Sequence, residues 1–233
     1  MSEKPVALVT GARKGIGRYL AERLLEKGYR VAGCSREPSD LKSEDYLHVT
    51  ADVTDEKQVS ALIDGIRRRF GRLDVLINNA GIASMNHVLL VPGQTVDRIF
   101  STNLRGTFLV SRECAKLMRK RSFGRIVNLT TVAVPMALEG ESLYVASKSA
   151  VEALTRVMCR ELATFGITVN AVGPGPVETD LLKSVPGDKI KAILDRLAIK
   201  RFTTPEDIFG VIEFFIRPES GCVTGQVIYL GGP

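Results

Sequence analysis

A doubly wound α/β domain on a seven-stranded parallel sheet, with helices on both faces, is what this sequence predicts, and three observations carry it. Short continuous apolar runs recur along the chain, as expected of strands buried on both sides. Stretches with helical periodicity separate them, in the rhythm of right-handed βαβ units. No Pro/Gly/Ser-rich linker, repeat or low-complexity tract divides the chain, so residues 1–233 read as one domain.

The elements follow in order. Val6 to Thr10 is the first strand and runs into Gly11-Ala12-Arg13-Lys14-Gly15-Ile16-Gly17, which opens a helix carrying Leu20, Leu24 and Leu25 and closing at Gly28. Val31 to Cys34 is strand two and Leu47 to Ala51 strand three; the dozen residues between them leave room for a helix of one or two turns at most. A helix from about Asp55 to Phe70 precedes strand four, Asp74 to Asn78. One long helix from roughly Val96 to Lys120 then leads to strand five, Arg125 to Thr130. The next helix runs to about Phe165 and bears Tyr144 and Lys148. Ile167 to Val172 is strand six; a helix from Pro205 to about Ile216 and a strand from Gln226 to Leu230 close the fold.

Composition narrows the function classes. Hydrophobic residues make up 45% and charged residues 25%, the profile of a soluble globular protein. No apolar run reaches the length of a membrane span, and no signal-peptide architecture precedes the first strand. Cys34, Cys114, Cys159 and Cys222 are widely spread without ligand spacing, which fits reduced thiols in a cytoplasmic protein. His48 and His87 are lone histidines, so no metal site is expected. The net charge of +6 falls into separate clusters, Arg67-Arg68-Arg69, Arg119-Lys120-Arg121, and Lys183, Lys189, Lys191, Lys200 and Arg201. The first two complement helix C-termini. No aromatic ladder accompanies them, which argues against nucleic acid.

Tyr144 and Lys148 lie four residues apart, on one helix face. An ammonium beside a phenol favours the phenolate, so the pair predicts a lowered tyrosine pKa and a group able to exchange a proton with a carbonyl oxygen or an alcohol. The glycines at 11, 15 and 17 stand between strand one and its helix, where a dinucleotide pyrophosphate meets a helix N-terminus, although an unliganded turn has the same composition.

Taken together these motifs resemble the short-chain dehydrogenase/reductase family of the single-domain, Rossmann-like type, over essentially the whole chain. Thr10-Gly11-x-x-x-Gly15-Ile16-Gly17 is similar to that family's cofactor loop, and Asn78-Asn79-Ala80-Gly81 to its strand-four motif. Tyr144-x-x-x-Lys148 is similar to its active site, and Pro174-Gly175-Pro176-Val177-Glu178-Thr179 to the segment that folds against the nicotinamide. The resemblance implies that Gly11, Arg13, Lys14, Gly15, Ile16, Gly17, Asn79, Ala80, Gly81, Tyr144, Lys148, Pro174, Gly175, Val177 and Thr179 contact the cofactor, with Asp52 and Val53 flanking the adenine. After strand two an NAD enzyme presents a carboxylate to the ribose; here Ser35-Arg36 stand there, with Lys14 opposite, and Glu37 lies one step further on. Two cations and a hydroxyl favour a 2′-phosphate, so NADP(H) is expected over NAD(H).

By the same resemblance Asn103, Tyr144 and Lys148 are catalytic: Asn103 as part of a water-mediated proton path to the lysine, Tyr144 as general acid in reduction, Lys148 as its electrostatic partner and ribose ligand. The family's serine is Thr131 here, thirteen residues before the tyrosine; its hydroxyl keeps the donor while its methyl narrows the space beside a carbonyl. Thr130 points to the other side of the strand and reads as packed. The implied reaction is reversible hydride transfer between NADP(H) and a ketone.

Within the family the likeness is to 3-oxoacyl-carrier-protein reductases, through length and the runs Gly124 to Asn128 and Gly166 to Val172. The basic clusters suit an acidic carrier protein, whereas Phe165 stands where a basic residue often precedes that glycine. A reductase or dehydrogenase of sugars, polyols or specialised metabolites is the alternative, and a non-catalytic NADP-binding scaffold, supported only by Thr131, is a second. The mostly apolar segment 132–143 suits a medium-sized substrate, and residues 180–203, hinged at Pro186-Gly187, read as a lid. Relatives pair the helix before strand five and the Tyr/Lys helix across two-fold axes. Ala150, Val151, Leu154, Val157 and Met158 give the latter helix the apolar surface for a homo-oligomer, tetramer or dimer.

Overall fold

The strands form where the apolar runs lie. The protein, a computed structural model in which residues 4–179 and 186–233 are described, has β1 at Val6–Thr10, β2 at Arg30–Ser35, β3 at Tyr46–Thr50 and β4 at Val75–Asn78. Strands β5 at Gly124–Leu129, β6 at Ile167–Gly173 and β7 at Val227–Tyr229 complete the sheet. All seven pair in parallel in the order β3-β2-β1-β4-β5-β6-β7. The chain builds outward from β1 to β3, then returns to lay β4 on the other side of β1. That reversal opens a crevice beyond the carboxyl ends of β1 and β4, the topological switch point where such sheets bind ligands.

Alternate residues of each central strand feed one of two cores. Val6 and Leu8 join Leu76, Ile126 and Val169 on one face, under α2 (Glu56–Phe70), α4 (Thr107–Met118) and α6 (Ser142–Leu162). Ala7 and Val9 join Ile77 and Val127 on the other, under α1 (Gly15–Glu26) and α8 (Pro205–Ile216). Helix starts follow local chemistry. Asp55 caps α2 by accepting from the backbone N–H groups of Lys57 and Gln58. Thr204 and Asp207 form a capping box on α8, with Pro205 as its first residue. Inside the first core, Asn78 donates to Ser111 and to Asn128, and Asn128 donates to Thr155, so these buried amides are paired across β4, β5, α4 and α6.

The long helix expected from Val96 to Lys120 is interrupted. It begins as α3 (Gln94–Phe100), widens into a π-helical segment at Ser101–Gly106 and resumes as α4, with Arg119–Arg121 in a closing 3-10 turn. Residues 36–45 contain no helix. A four-residue helix, α5 (Ala133–Met136), and a ten-residue one, α7 (Gly187–Arg196), lie in stretches for which the sequence suggested none.

Residues 180–185 of the expected lid, and Lys183 with them, lie outside the described residues. The part beyond α7 is tied down. Leu197 is buried, and the backbone N–H groups of Ala198 and Ile199 donate to the carbonyls of Gly232 and Gly231. The first two basic clusters come to one edge of the molecule, because α2 and α4 pack side by side ahead of the adjacent strands β4 and β5. Arg67 there pairs with Asp64, and in the third cluster Arg201 pairs with Asp207. Among the described residues no helix is long and apolar enough to cross a membrane.

Candidate active site

The crevice at the switch point is built from the ends of strands. Thr10, at the end of β1, accepts through its hydroxyl from the backbone N–H groups of both Asn79 and Ala80, and Asn79 donates its side-chain amide to the carbonyl of Thr10. This locks the phosphate-loop turn to the turn after β4. A Cβ on Gly17 would lie 2.2 Å from the Gly11 carbonyl oxygen, so only glycine fits where α1 leaves the loop. Gly15 has φ +58°, and a Cβ there would meet nothing of the chain within 4 Å. Helix α1 starts at Gly15 with no side-chain cap and no acidic residue in its first turn. Its first N–H groups are thus presented at an open cradle, the arrangement that takes a phosphate.

At the far end of the crevice a cavity of about 350 Å³ is lined by the ends of β4, β5 and β6 together with α6. It brings together Ile16, Asn79, Gly81, Thr131, Tyr144, Lys148, Pro174, Gly175, Val177 and Thr179 of the expected set. The segment after β6 is fixed by Val132, whose N–H donates to the Pro174 carbonyl, and by Thr203, whose hydroxyl accepts from the Gly175 N–H. Ile82, Ala83, Met85 and Ile193 also line the cavity; the sequence offered no motif for them.

Thr131 and Tyr144 line the same cavity, and the Thr131 side chain acts to lower the Tyr144 pKa. The Thr131 oxygen accepts from the Ala133 N–H at 3.2 Å, which leaves its hydroxyl proton available to a group in the cavity. Thr130 faces the other way and is packed, donating to the buried Glu152 at 2.7 Å; Tyr229 of β7 donates to the same carboxylate oxygen.

The expected lowering of the tyrosine pKa is not what the geometry yields. Tyr144 is pushed up to about 12, first by burial and then by the charge of Glu141, with the Thr131 side chain opposing both. The Lys148 ammonium lies 6.0 Å from the centre of the Tyr144 ring and donates to the Leu129 carbonyl at 2.7 Å instead. Burial pushes Lys148 itself down to about 8. Desolvation, which a four-residue spacing does not reveal, outweighs the attraction between the two groups.

Asn103 sits in the π-helical segment and is fully buried. Its side chain clasps the Ile82 backbone, accepting from the N–H and donating to the carbonyl, both at 2.9 Å, and it also donates to Ser147. Its own carbonyl accepts from Thr107 at 2.7 Å. A Cβ on Gly81 would lie 3.3 Å from the Asn103 amide oxygen and 3.4 Å from the Lys148 ammonium, so Asn103 and Lys148 share one small space.

At the other end, Ser35 donates to the Glu37 carbonyl at 2.5 Å and lies 3.0 Å from His48. Arg13 pairs with the Glu37 carboxylate at 2.5 Å. Arg36 and Lys14 are exposed beside them. Asp52 accepts from Thr54 within its own turn, and Val53 is buried against Gly106 of the π-helical segment.

A parallel sheet in this order, with a glycine-lined helix start and a Thr–Tyr–Lys cavity at its switch point, defines a nucleotide-dependent oxidoreductase, and the chain belongs to the short-chain dehydrogenase/reductase family. The family model described as Enoyl-(Acyl carrier protein) reductase matches residues 11–232. The 3-oxoacyl-[acyl-carrier-protein] reductase FabG of Vibrio cholerae serotype O1 is 35% identical over 236 residues, covering 99% of this chain and 97% of the relative. Among solved structures, ElxO with NADP bound is 32% identical with a TM-score of 0.90, covering 97% of each chain. The aldohexose dehydrogenase of Thermoplasma acidophilum is 30% identical with a TM-score of 0.89, covering 99% of this chain and 94% of its own.

Proposed function

We propose that the protein is an NADPH-dependent ketoreductase of 3-oxoacyl thioesters borne by an acyl carrier protein, working in the cytoplasm as a homo-oligomer. The observation that carries this reading is the presence of two hydroxyls, Thr131 and Tyr144, in one cavity that also holds Lys148. Two hydroxyls in one cavity suit a carbonyl oxygen that becomes an alkoxide. The FabG relatives supply the substrate class and ElxO the cofactor.

The residues fit the cofactor. Gly11, Gly15, Ile16 and Gly17, with Arg13 and Lys14, would hold the pyrophosphate at the uncapped start of α1. Ser35 and Arg36 would meet the 2′-phosphate, Asp52 and Val53 the adenine side. Asn79, Ala80, Gly81, Pro174, Gly175, Val177 and Thr179 would enclose the nicotinamide end, with Lys148 at its ribose. When bound, the cofactor supplies the hydride.

Thr131 would hold the carbonyl oxygen through a hydrogen bond from its hydroxyl, keeping its proton, which fixes the ketone in the cavity. Tyr144 is neutral at physiological pH, as it would be at its ordinary pKa of 10.0, and burial only strengthens its hold on the proton it has to give. As the carbonyl becomes an alkoxide, the phenol O–H bond breaks and an alcohol O–H bond forms. Lys148 then offsets the phenolate charge, and Asn103 keeps the Ile82 turn closed behind it. The apolar walls exclude water from the reacting carbon.

The test follows NADPH and NADH absorbance separately, with a 3-oxoacyl thioester beside small ketones and keto sugars. NADPH oxidation with the thioester, lowered at least 100-fold in Tyr144→Phe, is the expected result. Turnover of keto sugars alone would move the enzyme to the aldohexose-dehydrogenase side of the family, and a preference for NADH would overturn the roles given to Lys14 and Arg36.

A further inference from the structure

Glu141 stands at the N-cap of α6, one turn before Tyr144, and lines the same cavity as Thr131, Tyr144 and Lys148. Its side chain makes no cap hydrogen bond, and among the described residues its carboxylate has no hydrogen-bond or ion-pair partner. A surface cap would turn to water. This one is half-buried, and loss of water raises its affinity for a proton. Its charge reaches the reacting position, because it is the second cause, after burial, of the raised Tyr144 pKa.

The rest of the substrate end is apolar, with Ile82, Met85, Leu138 and Ile193 on its walls. Lys148 is the one cation among the described lining residues, and its ammonium is directed to the Leu129 carbonyl. A negative group brought into this cavity therefore meets Glu141 across a poorly screened gap with little to offset it.

We propose that Glu141 is a specificity-determining residue that rejects carbonyl compounds bearing a free carboxylate beside the ketone, so that the site takes the neutral 3-oxoacyl ester or thioester and refuses the 3-oxo acid. The inference rests on the ketoreductase reading above and deepens it. A thioester and the acid released by its hydrolysis present the same ketone. Shape separates them poorly; a fixed carboxylate separates them by charge. In these terms the enzyme acts on the activated acyl group and leaves the hydrolysed one alone.

The test uses a matched pair, ethyl acetoacetate and acetoacetate, with NADPH at pH 8, far above the ordinary carboxylate range. The ratio of kcat/KM for the neutral ketone over the anion is measured in the wild type, Glu141→Gln and Glu141→Asp. A fall in that ratio of five-fold or more in Glu141→Gln, with the absolute kcat/KM for acetoacetate rising and the ratio largely kept in Glu141→Asp, is the expected result. A purely structural role would lower both substrates together, so a smaller change in the ratio overturns the proposal. Should Glu141→Gln fail to fold, Glu141→Ala is read in the same way. A wild type that reduces neither ketone, nor any other carbonyl, overturns the ketoreductase reading and this inference with it. Turnover with an unmoved ratio removes Glu141 alone.

Discussion

Tyr144 and Lys148 show how far a residue pair can be read from spacing. Their shared helix face and their presence in one cavity follow from a four-residue step. Their proton affinities do not, because these depend on how much water the fold removes and on charges that arrive from other segments. Lys148 retains 6% exposure, and its pKa falls from 10.5 to about 8. A lysine whose folded pKa lies below its unfolded value costs stability while both states are charged. That cost is relieved as pH rises from about 8 toward 10.5, where the folded state has lost its proton and the unfolded state has not. Tyr144, raised from 10.0 to about 12, acts in the opposite sense above pH 10. Relative to Lys148→Met, the wild type should therefore gain about 2 kcal/mol between pH 7 and pH 9.5. Urea unfolding of both proteins at the two pH values measures it, and an unchanged difference would rule out a buried ammonium.

At the scale of elements, the π-helical segment is the feature least visible in the chain. An asparagine inside a helix competes for backbone hydrogen bonds, and that local misfit is the signal Asn103 carries in the chain. The structure gives the misfit a purpose: the widened turn carries the amide to both backbone groups of Ile82. Asn103→Ala would leave the Ile82 N–H and carbonyl without that partner, at a cost of about 1–3 kcal/mol, read from the urea midpoint. The same variant should lose at least ten-fold in kcat/KM, because Ile82 and Gly81 line the cavity. An unchanged kcat/KM would confine Asn103 to a structural role. Glu152 is a second anchor of this kind. It joins Thr130, just after β5, and Tyr229 of β7 to α6 one turn beyond Lys148, and no sequence motif announced it.

For the whole molecule, the order of the strands makes the site, since it places the phosphate loop after β1 beside the turn after β4. A second feature lies on the outer side of the α4 and α6 layer: an open groove of about 470 Å³, lined by Phe100, Leu104, Phe108 and Leu154. Phe108 is 41% exposed there, and on α6 Val157 is 53% exposed. Of the α6 residues expected to serve assembly, Val151 and Met158 are instead buried within the subunit. If this face joins subunits, Phe108→Glu should shift the protein to a smaller species in light scattering while the monomer stays folded. An unchanged mass would place the contact elsewhere.

The sequence by itself determined the strands, most of the helices, the fold class and the family, because these rest on local periodicity and on short motifs whose residues are close along the chain. It also marked the glycine loop, Thr131, Tyr144 and Lys148 as candidates for one site. Only the tertiary structure decided that Thr131 and Tyr144 meet in one cavity, that Lys148 turns to Leu129, that Arg13 and Ser35 are engaged with Glu37, and that Glu141 faces the cavity. Hydrogen-bond partners and desolvation are set by which distant segments the sheet order brings together, and that order is a property of the packed chain as a whole.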